Sequence, residues 1–321
     1  MIDLHVHLDG SLSARTVIEL ANMQKIKLPF YEQAALLPFL KAPEDCKSLD
    51  TYLKCFQIPL SVLQSNESIE YAVCSLCTSL KQQGLLYAEI RFAPQLHTKN
   101  GCTQAEIVKA ALRGVALSGF HAQLILCAMR GSDNEQQNMQ TVHVAEHFIN
   151  QGVVAVDLAG AEGRYPTSLF DYLFTAARDR NIPFTVHAGE AAGVDSVRFA
   201  VEAGASRIGH GIHAAQSPEL VDIIKKREIA IEMCPTSNFQ TGAVTQAEAY
   251  PLMRWLDSGI KVTVNTDNMT VSDTCIRDEI RFLELIYGLS NIQQNLLWMN
   301  AVDAAFLSNL DKEKLRMQIF K

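Results

Sequence analysis

The 321-residue chain has no apolar stretch approaching the 18 or so residues that a membrane span requires. Its first apolar run is interrupted by Asp3, His5 and His7, so neither a membrane helix nor a signal peptide is expected. A cytoplasmic protein is the resulting expectation. The chain also lacks any block of like charges. Its net charge of -7 is spread along the sequence, which argues against nucleic acid or an anionic membrane as a partner. Internal repeats, low-complexity segments and Pro- or Gly-rich linkers are absent, so a single domain over residues 1–321 is the simpler reading. Cysteine is modest, at eight residues, and residues such as Cys127 sit in apolar surroundings where a thiol acts as a small hydrophobe. Cys74 and Cys77 have the spacing of a redox or zinc knuckle. No second pair follows and no basic neighbour would activate a thiolate, so they read as helix packing.

What is present is a 48% hydrophobic, 20% charged composition that suits a folded protein with a large core. Short runs rich in Val, Ile and Leu alternate with longer amphipathic stretches, which predicts parallel strands joined by crossover helices. Strand candidates fall at 2–7, 86–92, 122–129, 153–159, 183–188, 206–211, 230–234 and 261–266. Helices are expected at 66–83, 104–118, 135–151, 167–180, 217–226, 246–258, 273–288, 291–305 and 311–318. Eight strands alternating with helices make an α/β fold of the (β/α)₈ TIM barrel type. Nearly eighty residues separate the first two strands, a helical insertion of the kind that often forms a lid.

Polar residues gather at the C-terminal ends of these strands, where barrel enzymes place their chemistry. His5 and His7 are two residues apart on strand one, so both imidazoles face the same side and can chelate one ion. His187 ends strand five, His210 strand six and Asp267 strand eight. Any one of these could be a satisfied core residue. Together they form a nitrogen-and-oxygen donor set that suits zinc, although iron, cobalt or manganese would leave the same trace. Glu190, three residues after His187, is placed to be a proton donor if a partly dry pocket raises its pKa; the bland alternative is an acid favoured by a helix N-terminus.

The stretches HVHLDGSL from His5, DLAGAE from Asp157, VHAGE from His187, RIGHG from Arg207, CPTSN from Cys234 and NTDN from Asn265 together resemble the adenosine deaminase family of metal-dependent amidohydrolases. The resemblance runs from residue 1 to about 310. It implies one Zn²⁺ on His5, His7, His187 and Asp267, and a hydroxide that attacks C6 of a purine nucleoside to give inosine and ammonia. By the same resemblance His210 and Asp267 orient the water and accept its proton, Glu190 protonates N1, Asp9 binds a ribose hydroxyl, and the Gly160 N–H faces N3. His7 also lies against substrate. Asn268 stands where the animal enzymes have a second aspartate, and its amide can donate to N7. Subfamilies acting on adenine or futalosine derivatives typically carry glutamate where this chain has Asp9, so the shorter acid favours adenosine or 2'-deoxyadenosine.

Two other readings compete. His143, Glu146 and His147 match the H-x-x-E-H pattern of one class of zinc peptidases, on a predicted helix. A barrel that binds without turnover is the other, against which every candidate ligand and acid is still in place.

Overall fold

The computed structural model describes residues 1–319, which contain eight parallel strands: β1 (Ile2–His7), β2 (Tyr87–Phe92), β3 (Ala122–Met129), β4 (Val153–Ala159), β5 (Thr185–Ala188), β6 (Arg207–His210), β7 (Ala230–Met233) and β8 (Val262–Val264). They form two four-stranded arcs, β1 to β4 and β5 to β8, each with neighbours in sequence order. Short bridges join the arcs at Val156 and Phe184 and at Val6 and Asp267, which closes the expected (β/α)₈ barrel. Strands one, three and four match the predicted bounds. The later strands are shorter at one or both ends, because Pro183 lacks an N–H for the ladder and Asn265 to Asp267 leave it.

The seam between β8 and β1 is held as much by side chains as by backbone. Asn265 Oδ1 accepts from the Leu4 N–H at 3.0 Å, and Asp3 Oδ2 accepts from the Thr266 hydroxyl at 2.6 Å. Nearer the mouth, the His7 N–H donates to the Asp267 carbonyl at 2.7 Å and the Asp267 N–H donates to the His5 carbonyl at 2.8 Å. The residues that close the barrel are thus three of the predicted metal ligands.

Apolar residues such as Val6, Ile90, Leu126 and Val186 are fully buried between the strands and the outer helices. Several helices begin where the sequence supplies a cap. Thr103 and Glu106 form a reciprocal capping box, as do Ser290 and Gln293, and the Ser217 hydroxyl caps Pro218–Lys226. Two expectations are corrected. The stretch 246–258 yields only a short turn, Ala247–Ala249, and the helix Leu252–Asp257, since Pro251 cannot continue the first. A helix at Val194–Glu202, between β5 and β6, was not anticipated.

The long first connection folds into short helices and the regular helix Asn66–Gln82. Cys74 and Cys77 lie on that helix, with Cys77 in the core and every cysteine a free thiol, in keeping with a packing role. The insertion is pinned by His97, in the turn Pro94–His97, whose buried Nδ1–H donates to the Leu63 carbonyl at 2.9 Å. Burial pulls the His97 imidazole down to about 4 from its ordinary 6.5. The unfolded chain therefore binds more protons between those values, and stability that is full above pH 6.5 is lost as pH falls toward 4. A shift of this size corresponds to about 3 kcal/mol. Urea titrations at pH 7.5 and 4.5 should show a smaller acid loss for His97→Asn than for the natural chain; equal losses would contradict this origin.

Candidate active site

The predicted residues converge at the C-terminal mouth of the barrel. His5, His7, His187 and Asp267 offer ligand atoms that all lie within 4.8 Å of one another. His187 Nε2 is 3.1 Å from both His5 Nε2 and His7 Nε2, and Asp267 Oδ1 is 3.4 Å from each of the same two atoms. Donors around a tetrahedral ion at ordinary zinc distances are separated by roughly 3.3 Å. Protonation explains why the cluster suits a cation. His5 Nδ1 faces Glu232 Oε2 at 2.8 Å and His187 Nδ1 faces Asp157 Oδ2 at 2.9 Å, the latter in a bent approach. A carboxylate only accepts, so in each neutral ring the proton sits on Nδ1 and Nε2 presents a lone pair. Two lone pairs 3.1 Å apart repel each other unless a positive ion lies between them. The donor set therefore fits a divalent metal.

Behind the ligands lies a buried charge network that the sequence reading did not assign. Arg91 on β2 donates to Asp157 and to Glu232, each at 2.9 Å, and to the Leu4 carbonyl at 2.6 Å. Arg207 on β6 donates to Glu232 at 2.6 Å and to Glu89 at 2.5 Å. Despite burial, which works the other way, Arg91 and Arg207 hold Glu232 well below the usual carboxylate range. Asp157 is likewise held low against burial by His187 and Arg91. Both stay ionised and keep the histidines turned inward, the usual support for metal-binding imidazoles. The available signal was a single charge within an otherwise apolar strand, as in VVAVDLA and AIEM.

Close packing sets the remaining geometry. A methyl group on Gly209 would lie 3.1 Å from His5 Cε1, so RIGHG needs its first glycine to admit the ring. A Cβ on Gly10 would fall 1.8 Å from Asn268 Oδ1. Asp267 lies three residues beyond β8, in a left-handed conformation (φ 58°), and its Oδ2 accepts from the Ser237 hydroxyl at 2.6 Å. His210 is also left-handed (φ 62°). Its Nδ1 accepts from the Asn238 amide at 2.9 Å, an orientation fixed by the Tyr250 hydroxyl donating to Asn238 Oδ1. The neutral His210 ring then carries its proton on Nε2, 3.7 Å from Glu190 Oε2.

His7, Asp9, Gly160, His187, Glu190, His210, Asp267 and Asn268 all line one cavity of about 310 Å³. His5 is fully buried and does not line it. Burial, together with the negative charges of Asp267 and Glu162, pushes the Glu190 carboxyl well above its ordinary range. Burial also keeps His210 and His7 well below the usual histidine range, so both rings are neutral. Asp9 Oδ1 and Asn268 Oδ1 are buried without a partner, and burial raises Asp9 to about 6. Leu49, Tyr52, Leu53, Phe56 and Leu60 of the insertion form the apolar wall opposite the metal donors. His143 and Glu146, by contrast, sit on an outer helix and engage Arg180, which leaves the peptidase pattern no metal-binding geometry.

Comparison with known proteins decides the family. The sequence model described as adenosine deaminase matches residues 1–321. The chain belongs to the adenosine deaminase family. It is 48% identical to the adenosine deaminase of Haemophilus ducreyi, over 99% of this chain and 95% of that one. It is 40% identical to that of Enterococcus faecalis at the same coverage. The fold matches an adenine deaminase from Arthrobacter aurescens, with a TM-score of 0.87 and 23% identity over 99% and 97% of the two chains. It also matches a zinc-bound amidohydrolase from Burkholderia ambifaria, with a TM-score of 0.87 and 20% identity over 98% and 88%.

Glu232→Gln replaces the acceptor of His5 Nδ1 with a neutral amide. Its zinc affinity, measured by competition with a chromophoric chelator, should fall about 10–100-fold. An unchanged affinity would show that the inner carboxylates do not support the ligands.

Proposed function

We propose that this chain is a single catalytic unit that hydrolyses adenosine and 2'-deoxyadenosine to the corresponding inosine and ammonia, with one zinc ion on His5, His7, His187 and Asp267. The observation that carries the reading is the placement of a carboxylic acid with a raised pKa, Glu190, in the cavity that the four-donor metal cluster adjoins. A divalent ion at those donors supplies acidified water at neutral pH. The protein's own groups do the rest.

The apolar wall and the backbone at Gly160 take the purine. Gly160 adopts φ 106°, and a Cβ there would lie 3.2 Å from Met129 Cε, so glycine lets the base approach the main chain. Asp9 Oδ1, lacking any protein partner, accepts a ribose hydroxyl. Asn268 turns its oxygen toward Gly10, which leaves the Nδ2 donor for N7. Glu190 gives its proton to N1, which makes C6 more electrophilic, and addition of water at C6 then breaks the aromaticity of that ring. His210, with its proton on Nε2, orients the water oxygen as a donor, and the carboxylate of Asp267 accepts the water proton. The proton taken by Asp267 passes to the amino group, collapse of the adduct expels ammonia, and the remaining hydroxyl proton restores Glu190.

The test is loss of ultraviolet absorbance, with ammonia release, on mixing purified protein with adenosine, 2'-deoxyadenosine and adenine in turn. Both nucleosides should turn over, and Glu190→Gln should slow them by at least about 10²-fold while keeping its zinc. Turnover of adenine alone would move the protein to base deamination, and silence on all three with zinc bound would exclude the reading.

A further inference from the structure

The loop that carries Glu190 is organised around a second acid, Glu162, in the turn after β4. Its side chain is almost wholly buried and reaches across to the loop after β5. Glu162 Oε1 accepts from the Gly189 N–H at 2.7 Å and from the Ser196 hydroxyl at 2.5 Å. Its Oε2 accepts from the N–H groups of Glu190, Ala191 and Ala192 at 3.0, 2.8 and 3.0 Å. Five donors thus converge on one carboxylate, and four of them are the consecutive backbone N–H groups of the segment that presents Glu190. The network continues outward, with Ser196 Oγ 2.5 Å from Thr167 Oγ1, which accepts from Arg130 at 2.9 Å. Arg130 also donates to the carbonyl of His187 at 2.6 Å.

Backbone amides aimed at a single point make an anion cradle, here filled by the protein's own carboxylate. A side chain from one loop therefore dictates the backbone path of the next. We propose that Glu162 is the positioning residue for Glu190: it fixes the Gly189–Ala192 turn so that the acid reaches the purine ring, while itself touching neither substrate nor metal. The inference rests on the proposed role of Glu190 as proton donor. Proton transfer demands close placement of donor and acceptor, and displacement by about 1 Å can cost on the order of 10²-fold in rate. Substrate binding relies chiefly on Asp9, Gly160, Asn268 and the apolar wall, none of which Glu162 contacts. The rate constant and KM should therefore separate.

The experiment compares Glu162→Gln, Ser196→Ala and Glu190→Gln with the natural chain, using adenosine, with kcat expressed per bound zinc. The amide of Glu162→Gln cannot accept at its NH₂ end, so the turn loses part of its anchor. Its kcat per zinc is expected to fall about 10²-fold with KM within about 3-fold of the natural value. Ser196→Ala removes one of the five donors and leaves the backbone cradle, so it tests the same axis should Glu162→Gln fold poorly. A fall in kcat of about 3–10-fold at constant KM is expected there. Natural kcat per zinc in either variant would overturn the proposal, as would a loss accounted for by lower zinc content or by KM alone. If Glu190→Gln itself deaminates at the natural rate, the proton-donor reading fails instead, which separates the two claims.

Discussion

The site depends on one buried cation of the protein's own, the guanidinium of Arg91. It lies across the barrel interior and bridges Asp157 on β4 to Glu232 on β7. Each carboxylate faces the Nδ1 of one ligand histidine, so this single group sets the charge state and direction of both rings. Its removal would leave Asp157 without its arginine and Glu232 with Arg207 alone, and breaking a buried ion pair in this way typically costs about 3–5 kcal/mol. A second arginine, Arg207, supports Glu232 from the far side and stacks over the Phe306 ring at 3.9 Å. The barrel interior is therefore an ionic scaffold, and the apolar core lies outside it, between strands and helices.

Closure of the barrel and assembly of the metal site are the same event. The β8 to β1 seam consists of backbone hydrogen bonds between Asp267 and the His5 and His7 positions, reinforced by Asp3 and Asn265. A chain that fails to close cannot gather its ligands, and an ion bound at the ligands would hold the seam shut. Zinc binding and fold stability are consequently linked, since an ion bound only by the folded form stabilises it. The insertion then completes the cavity from above, tied down at Tyr52, whose hydroxyl lies 2.6 Å from that of Ser272, and at His97.

Much of this was legible in the sequence. Strand one alternates apolar residues with Asp3, His5 and His7, strands three and four are rich in Val, Ile, Leu and Ala, and the bounds of all three could be read from that pattern. His5 and His7 announce a chelating pair by their spacing alone. Other features depend on relations the linear pattern does not carry. Asp157 and Glu232 appear as isolated charges in apolar strands, Arg91 shares β2 with Glu89, and only the closed barrel shows that they meet. Asp267 lies past the end of its strand in a left-handed turn, so alternation along β8 does not place it. Helix Val194–Glu202 is short and follows the glycine-containing loop of Glu190, where periodicity had little length to register. Glu162 sits inside the DLAGAE stretch, yet four of its five donors are backbone amides, which leave no mark in side-chain identity.

The most direct test of the account is a zinc titration of metal-stripped protein, monitored by the initial rate of adenosine deamination and by metal analysis of the gel-filtered product. Activity should be absent at the start, rise linearly, and level off at one zinc per chain, with a His5→Ala variant staying inactive across the series. Full activity in the stripped protein, or a break at a different stoichiometry, would contradict a catalytic site built on His5, His7, His187 and Asp267.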